Sequence, residues 1–225
     1  MKVKLVSGYV RLDLPLSHRT HDDYRALGAR LEAIPVPKRV FVEYPLERCW
    51  MYKFLQTMPP VTHSTEHNPN KNSLGYHIVQ HQKVEWMLDA AYEDHEPDVF
   101  IWMDYGALYN PSLTEQAVVD LIGRCEETGI AVPGIYDKSN SIPDDHPTWR
   151  FCGTVMICHR KWLPILAAAI RHQAERHIRL TLNVTWEVNT WAAVERNYLE
   201  LPIHWYKAGH DISMFTDYPG VTHDA

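Results

Sequence analysis

A chain of 225 residues that is 45% apolar can bury a sizeable core and fits one large domain, residues 1–225, better than two small ones. Its 22 basic and 28 acidic side chains give a formal charge of −6 with no Lys/Arg-rich block, so broad binding to a nucleic-acid backbone has no electrostatic support. The opening MKVKLVSGYV has too short an apolar run for a signal peptide, and no later segment nears the roughly 18 apolar residues of a membrane span; a soluble, cytoplasmic protein is expected.

Val3 to Val6 reads as a short strand followed by a Ser7-Gly8-Tyr9 turn. DDYRALGARLEAI then sets Tyr24, Leu27, Leu31 and Ile34 at helical spacing behind two acidic residues, and Pro35 and Pro37 stop that helix. KRVFVEYP is a β-rich run closed by a proline. Strand, helix, strand in that order begins an α/β sheet whose parallel neighbours need crossovers. Thr57 to Ser73 is rich in Pro, Asn, Ser and Thr and reads as an exposed loop.

A second helix is expected from Leu74 to Tyr92, burying Ile78, Val84, Met87, Leu88 and Ala91. It leads into Val99–Met103, apolar throughout, as a central strand covered on both faces should be. Ser112 with Glu115 three residues on forms a capping-box pattern for a helix expected to run on to Gly129. IAVPGIY is a short strand, Asp137 to Thr148 a polar loop, and Phe151 to Cys158 a strand leading into a long helix. TWEVNTWAAVERN reads as helix, LPIHWYK as strand, and the end as irregular. The whole predicts a central mixed, mostly parallel sheet flanked by helices.

Ligands in open α/β sheets collect at the carboxyl ends of the strands, and Asp104 stands at such an end. It is either a hard oxygen ligand or ribose acceptor, or the cap of a turn. The cysteines Cys49, Cys125, Cys152 and Cys158 form no CxxC pair and read as buried small hydrophobes. His77 and His81, one helical turn apart, are spaced to chelate zinc as in a hydrolase, but no glutamate of an HExxH motif lies between them; His63 and His67 form a similar loop pair. Both pairs read as non-catalytic. The eight tryptophans suit core packing, or the stacking platforms of a non-catalytic glycan- or nucleotide-binding protein.

The stretch from Asn72 to Asn110, NSLGYHIVQHQKVEWMLDAAYEDHEPDVFIWMDYGALYN, resembles the bacterial HtrL/YibB-like glycosyltransferase family, in which a tyrosine, a helix with a lysine and a W-[IVM]-D-[FY]-G strand end follow one another. The opening KVKLVSGYV resembles theirs too. More distantly, the order of elements is similar to the GT-A fold, where a strand ending in Asp-x-Asp binds a metal and a nucleotide diphosphate sugar. This resemblance implies a single-domain, Rossmann-related GT-A-like protein that moves a sugar, most often UDP-linked, to an acceptor hydroxyl on a glycan, a small molecule or a modified nucleobase, with Mn²⁺ or Mg²⁺ assisting. One departure stands out: Gly106 occupies the place of the second aspartate.

By the same resemblance, Asp104 anchors metal or ribose, and His210 is the distal metal ligand, with His204 as the other choice. Lys83, Lys207 and Arg11 are candidate cations for the departing diphosphate. Lys83 would orient Asp104, or else is a solvated helix residue. Ser7, Gly8 and Tyr9, with Glu43, occupy the positions expected for base and ribose. Trp149, Phe151 and Trp186 are candidates for the substrate side, and Gly153 for close approach of an acceptor sugar. Glu187 is the general base of an inverting reaction, or else a carboxylate favoured by a helix N-terminus.

Overall fold

The computed structural model describes residues 1–12, 19–65, 72–138, 141–143 and 145–220; His67 lies outside the described residues. The first strand, β1 (Val3–Gly8), runs further than its sequence suggests. Ser7 and Gly8 stay in the ladder opposite Val40 and Phe41 of β2 (Lys38–Phe41) rather than opening a turn. Between these strands, α1 (His21–Ala33) starts with a capping box, in which Thr20 Oγ1 accepts from Asp23 N and the Asp23 carboxylate accepts from Thr20 N. Next come α2 (Trp50–Leu55) and the two-residue strand β3 (Thr62–His63).

The expected helix from Leu74 to Tyr92 is two helices, α3 (Leu74–His81) and α4 (Lys83–Glu93), meeting at Gln82. Trp50 causes the break. Its indole N–H donates to the His81 carbonyl at 3.1 Å while its backbone N–H donates to Gln82 Oε1 at 3.1 Å, so one helix acceptor is spent on a neighbour. The join makes Lys83 the first residue of a helix.

After β4 (Val99–Met103), α5 (Glu115–Gly123) is capped by Thr114, whose hydroxyl accepts from Ala117 N. Ser112 does not serve, because its N–H and hydroxyl both donate to Asn110 Oδ1. The helix ends at Gly123 instead of Gly129: Glu127 turns inward to accept from Gly129 N at 2.7 Å, and the chain passes into β5 (Ile130–Gly134). β6 (Val155–His159) starts later than expected, since Cys152 N is already donated to Pro133 O. The chain continues through α6 (Leu163–Thr181), β7 (Asn183–Val184), α7 (Glu187–Asn197), β8 (Ile203–Lys207) and α8 (Ser213–Thr216).

The six-stranded sheet has the order β2-β1-β4-β6-β5-β8, and β6 alone among these strands runs against its neighbours; β3 and β7 form a separate pair. Alternation along the central strands feeds two cores. Phe100, Trp102, Met156 and Cys158 face α4, α6 and α7 with Met87, Leu166, Ile170 and Val194. Val99, Ile101, Met103, Val155 and Ile157 face the other side, with Leu31 of α1, Val118 and Leu121 of α5 and Phe215 of α8. No helix among the described residues is long and apolar enough to cross a membrane.

Candidate active site

A cleft of about 730 Å³ opens over the sheet where β1 and β4 end. Because β6 is antiparallel, its beginning reaches the same rim, and Asp104 N donates to Thr154 O at 3.0 Å. The first residues of α4 and α7, Lys83 and Glu187, meet beneath it. A carboxylate at the first turn of α7 is favoured by the N-terminal end of the helix dipole.

Lys83 Nζ donates to Gly153 O at 2.8 Å and Glu187 Oε1 at 2.9 Å, and stands 3.1 Å from Asp104 Oδ1. An ammonium has three N–H groups, and these three acceptors use them all. Side-chain exposure is 3% for Lys83, 6% for Glu187 and 33% for Asp104, so only the aspartate reaches substantially into the cleft. Burial alone lowers the Lys83 pKa, but the two carboxylates outweigh it and hold it above the usual lysine value. Glu187 is the mirror case: burial acts upward, Lys83 outweighs it, and the pKa is depressed. Lys83 and Glu187 both stay charged near neutrality.

Neighbours fix this group. Trp102, two residues before Asp104, donates its indole N–H to Asp104 Oδ1 at 2.9 Å. Trp102 stacks on Trp86 at 5.6 Å between centroids, and a Cβ on Gly8 would come within 2.5 Å of the Trp86 ring. A Cβ on Gly153 would lie 2.3 Å from Glu187 Oε1 and 3.1 Å from Lys83 Nζ, so that glycine makes room for the ion pair.

One wall is aromatic: Tyr9 stacks on Tyr105 at 5.2 Å and on Tyr24 at 5.6 Å, with its hydroxyl bonded to His21. Arg19 lies over Tyr109, 3.7 Å from its centroid. On the opposite side Trp149 holds a left-handed backbone, φ 51°, an uncommon state for a bulky residue. Its carbonyl accepts from Ile135 N and Tyr136 N, and the following Arg150 is locked by a two-bond ion pair to Glu195. The imidazole of His210 stands edge-on to Trp149 at 4.7 Å, and burial lowers its pKa.

The cleft therefore gathers Gly8, Tyr9, Lys83, Asp104, Gly106, Trp149, Gly153, Trp186, Glu187 and His210 from the positions expected. Six others lie elsewhere. Ser7 is buried within β1, and Phe151 packs in the core against Trp191. Glu43 is exposed with φ 55° and pairs with Arg25. Arg11 and Lys207 are exposed and off the wall, while His204 is drawn to Glu127 at 3.3 Å. Sequence reasoning missed Arg19, Tyr24, Trp102 and Tyr105. Strand alternation already puts Trp102 on the side of Asp104, but nothing local marks Arg19.

His77 and His81 are off the cleft and committed elsewhere. His77 Nε2 pairs with Ser64 O at 2.7 Å, and both nitrogens of His81 are bonded, to His77 O and Thr190 Oγ1. Burial pushes the His81 pKa down to about 4. The chelating geometry of a zinc hydrolase is therefore not formed there. The four cysteines are free and buried.

The donor set around Asp104 does not fit a divalent cation held by the protein. Oδ1 is taken by Trp102 and Lys83, Gly106 supplies no second carboxylate, and among the described residues no three His, Cys, Asp or Glu side chains group to hold a metal.

No protein-family profile and no curated protein matches the chain. Solved structures do match. A glycosyltransferase involved in the glycosylation of the major capsid of PBCV-1 is 13% identical, with a TM-score of 0.50 over 92% of this chain and 81% of that one. The 4-diphosphocytidyl-2C-methyl-D-erythritol synthase of Anaerococcus prevotii DSM 20548 is 9% identical with a TM-score of 0.42, covering 92% of this chain and 89% of that one. At that level only the first comparison carries weight, and it speaks to architecture: the chain has a GT-A-like α/β fold, a mostly parallel six-stranded sheet flanked by helices.

Proposed function

We propose that this protein transfers a sugar from a nucleoside-diphosphate sugar, UDP-linked, to an acceptor hydroxyl. The observation that carries this reading is the buried Lys83–Glu187–Asp104 group at the floor of an aromatic-walled cleft, at the strand ends of a GT-A-like sheet. The Tyr9, Tyr24 and Tyr105 rings offer a stacking surface for a nucleobase. Asp104, fixed through Oδ1, turns its other oxygen to a ribose or sugar hydroxyl.

In the transfer, the bond between the anomeric carbon and the diphosphate oxygen breaks, and its electron pair leaves with the diphosphate. The acceptor oxygen bonds to the anomeric carbon and gives up its proton. A carboxylate clamped by Lys83 with a depressed pKa is a weak base, so Glu187 acts as a positioning residue that keeps Lys83 beneath Asp104. His210, kept neutral near pH 7 by burial, takes the proton. Trp149 beside it supplies an apolar face for the acceptor.

A thermal-shift screen of nucleoside diphosphates and their sugars tests this. A ligand at a hundredfold its Kd adds about 2.7 kcal/mol, which raises Tm by about 5–11 °C in a chain of this size. Asp104→Ala should abolish most of that rise. A protein whose Tm ignores every nucleotide but rises with free glycan is a glycan-binding protein, and the transferase reading is then wrong.

A further inference from the structure

Polar side chains follow one another at Gln80, His81 and Gln82, where α3 meets α4, and the last two are spent. Both nitrogens of His81 are bonded, to His77 O and Thr190 Oγ1, and Gln82 Oε1 accepts from Trp50 N. Gln80 is half-buried and lines the cleft, and its amide makes no hydrogen bond among the described residues. A carboxamide offers an acceptor oxygen and two N–H donors, and here both ends are open to a ligand.

Its surroundings say what kind of ligand. Tyr76 and Val79 stand beside it on α3, Trp186 and Val188 at the start of α7, and all four line the cleft. Trp186 backs the Tyr76 ring edge-on, with centroids 6.1 Å apart. Val188 Cγ1 lies 3.3 Å from where a Cβ on Gly153 would stand, so this wall adjoins the Lys83–Glu187 pair. Lys83 is the one cation among the described residues of the wall, and its N–H groups go to Gly153, Glu187 and Asp104.

A phosphate or a sugar carboxylate only accepts, and it binds best where charged donors face it. This wall presents rings, methyl groups and one neutral amide, with Glu187 held ionised beneath, so an acidic group placed there would lose water and gain no partner. A neutral pyranose suits it. Its C–H faces pack on the apolar side chains, and two neighbouring hydroxyls, each able to donate and accept, match the two ends of the amide.

We propose that Gln80 reads the sugar carried by the donor, and that this sugar is a neutral hexose rather than an acidic one. This rests on the donor reading above. The amide oxygen accepts from one hydroxyl and the amide nitrogen donates to the next, so Gln80 sorts sugars by hydroxyl placement and leaves the nucleotide alone.

The test is calorimetric titration of UDP, UDP-glucose, UDP-galactose, UDP-N-acetylglucosamine and UDP-glucuronate into the full chain. At least one neutral sugar nucleotide should bind about tenfold tighter than UDP, while UDP-glucuronate binds no tighter than UDP. Gln80→Met should remove most of that gain and keep the Kd for UDP within about threefold of the wild type. Gln80→Glu, which has nearly the same shape but only accepts, should lose the gain as well. Each variant is first melted without nucleotide, and Gln80→Glu carries the test if Gln80→Met unfolds. The inference is overturned, with the donor reading intact, if no neutral sugar nucleotide binds tighter than UDP, if UDP-glucuronate binds tightest, if a folded variant keeps the gain, or if UDP itself weakens equally. No binding of any of these nucleotides overturns the donor reading, and this inference falls with it.

Discussion

Replacing Lys83 with methionine tests the centre of the site most directly. Methionine keeps most of the aliphatic stem and removes only the charge, so packing against the sheet changes little. What is left is Glu187, 6% exposed, with no counter-ion, beside an Asp104 that water screens in part. Breaking a buried pair by removing one partner costs about 3–5 kcal/mol. For a chain of this length that lowers Tm by about 6–20 °C, a large part of a typical total stability of about 5–15 kcal/mol. The double variant Lys83→Met/Glu187→Met should recover much of the loss, since an apolar pair of similar volume is often as stable as the ions it replaces. Urea and thermal unfolding of the wild type, both single variants and the double variant measure the coupling. A loss under about 1 kcal/mol in Lys83→Met, or additive behaviour in the double, would show that the ammonium is not what holds the two carboxylates, and the site as described would be wrong.

The pH dependence follows from the same pair. Glu187's folded pKa is depressed, so its contribution is fully present above the unfolded value of about 4.3 and is lost as pH falls through the folded value; Glu187→Gln should flatten the acid limb of a stability-versus-pH curve. Lys83's folded pKa is raised, so its share is present below about 10.4 and is lost only in strong alkali. Gly153→Ala should destabilise by about 1–3 kcal/mol and weaken nucleotide binding, because its methyl group collides with Glu187 Oε1; a neutral result by denaturation would remove the steric role given to that glycine. Trp149→Gly should leave nucleotide affinity unchanged and Tm nearly so, since relief of about 1–2 kcal/mol of left-handed strain offsets lost packing, while transfer to acceptor falls; a drop in nucleotide affinity would place this ring on the donor side.

The parts of the fold set by local pattern were legible in the sequence. The Val99–Met103 strand, the helix that starts near Asp22 and the helix that opens on Glu187 follow from hydrophobic period and acidic first turns. Boundaries failed where a side-chain bond competed with the local pattern, from far off where Trp50 splits the helix at Gln82, and from two residues away where Asn110 draws Ser112 from a cap and Glu127 turns the chain at Gly129. The site divides in the same way. Lys83, Asp104 and Glu187 sit at element ends and could be picked out singly, but 104 residues separate Lys83 from Glu187 and no spacing rule joins them. Glu43 was named from a strand end and Lys207 as a candidate cation; the first itself holds a left-handed backbone and is exposed, and the second ends an outer strand.

The reversed direction of β6 has an architectural consequence. The two flanks of the cleft differ in how far they can be rebuilt. On one flank, Gly8 and Asp104 close parallel strands in the middle of the sheet, where an insertion would disturb both cores. On the other, Trp149 and Gly153 belong to the connection that enters β6 from outside, so new chain added between Tyr136 and Thr148 would remodel that flank while leaving the ladder untouched. Under the transferase reading proposed above, diversification would be channelled toward the acceptor side of the cleft, with the nucleotide side held constant.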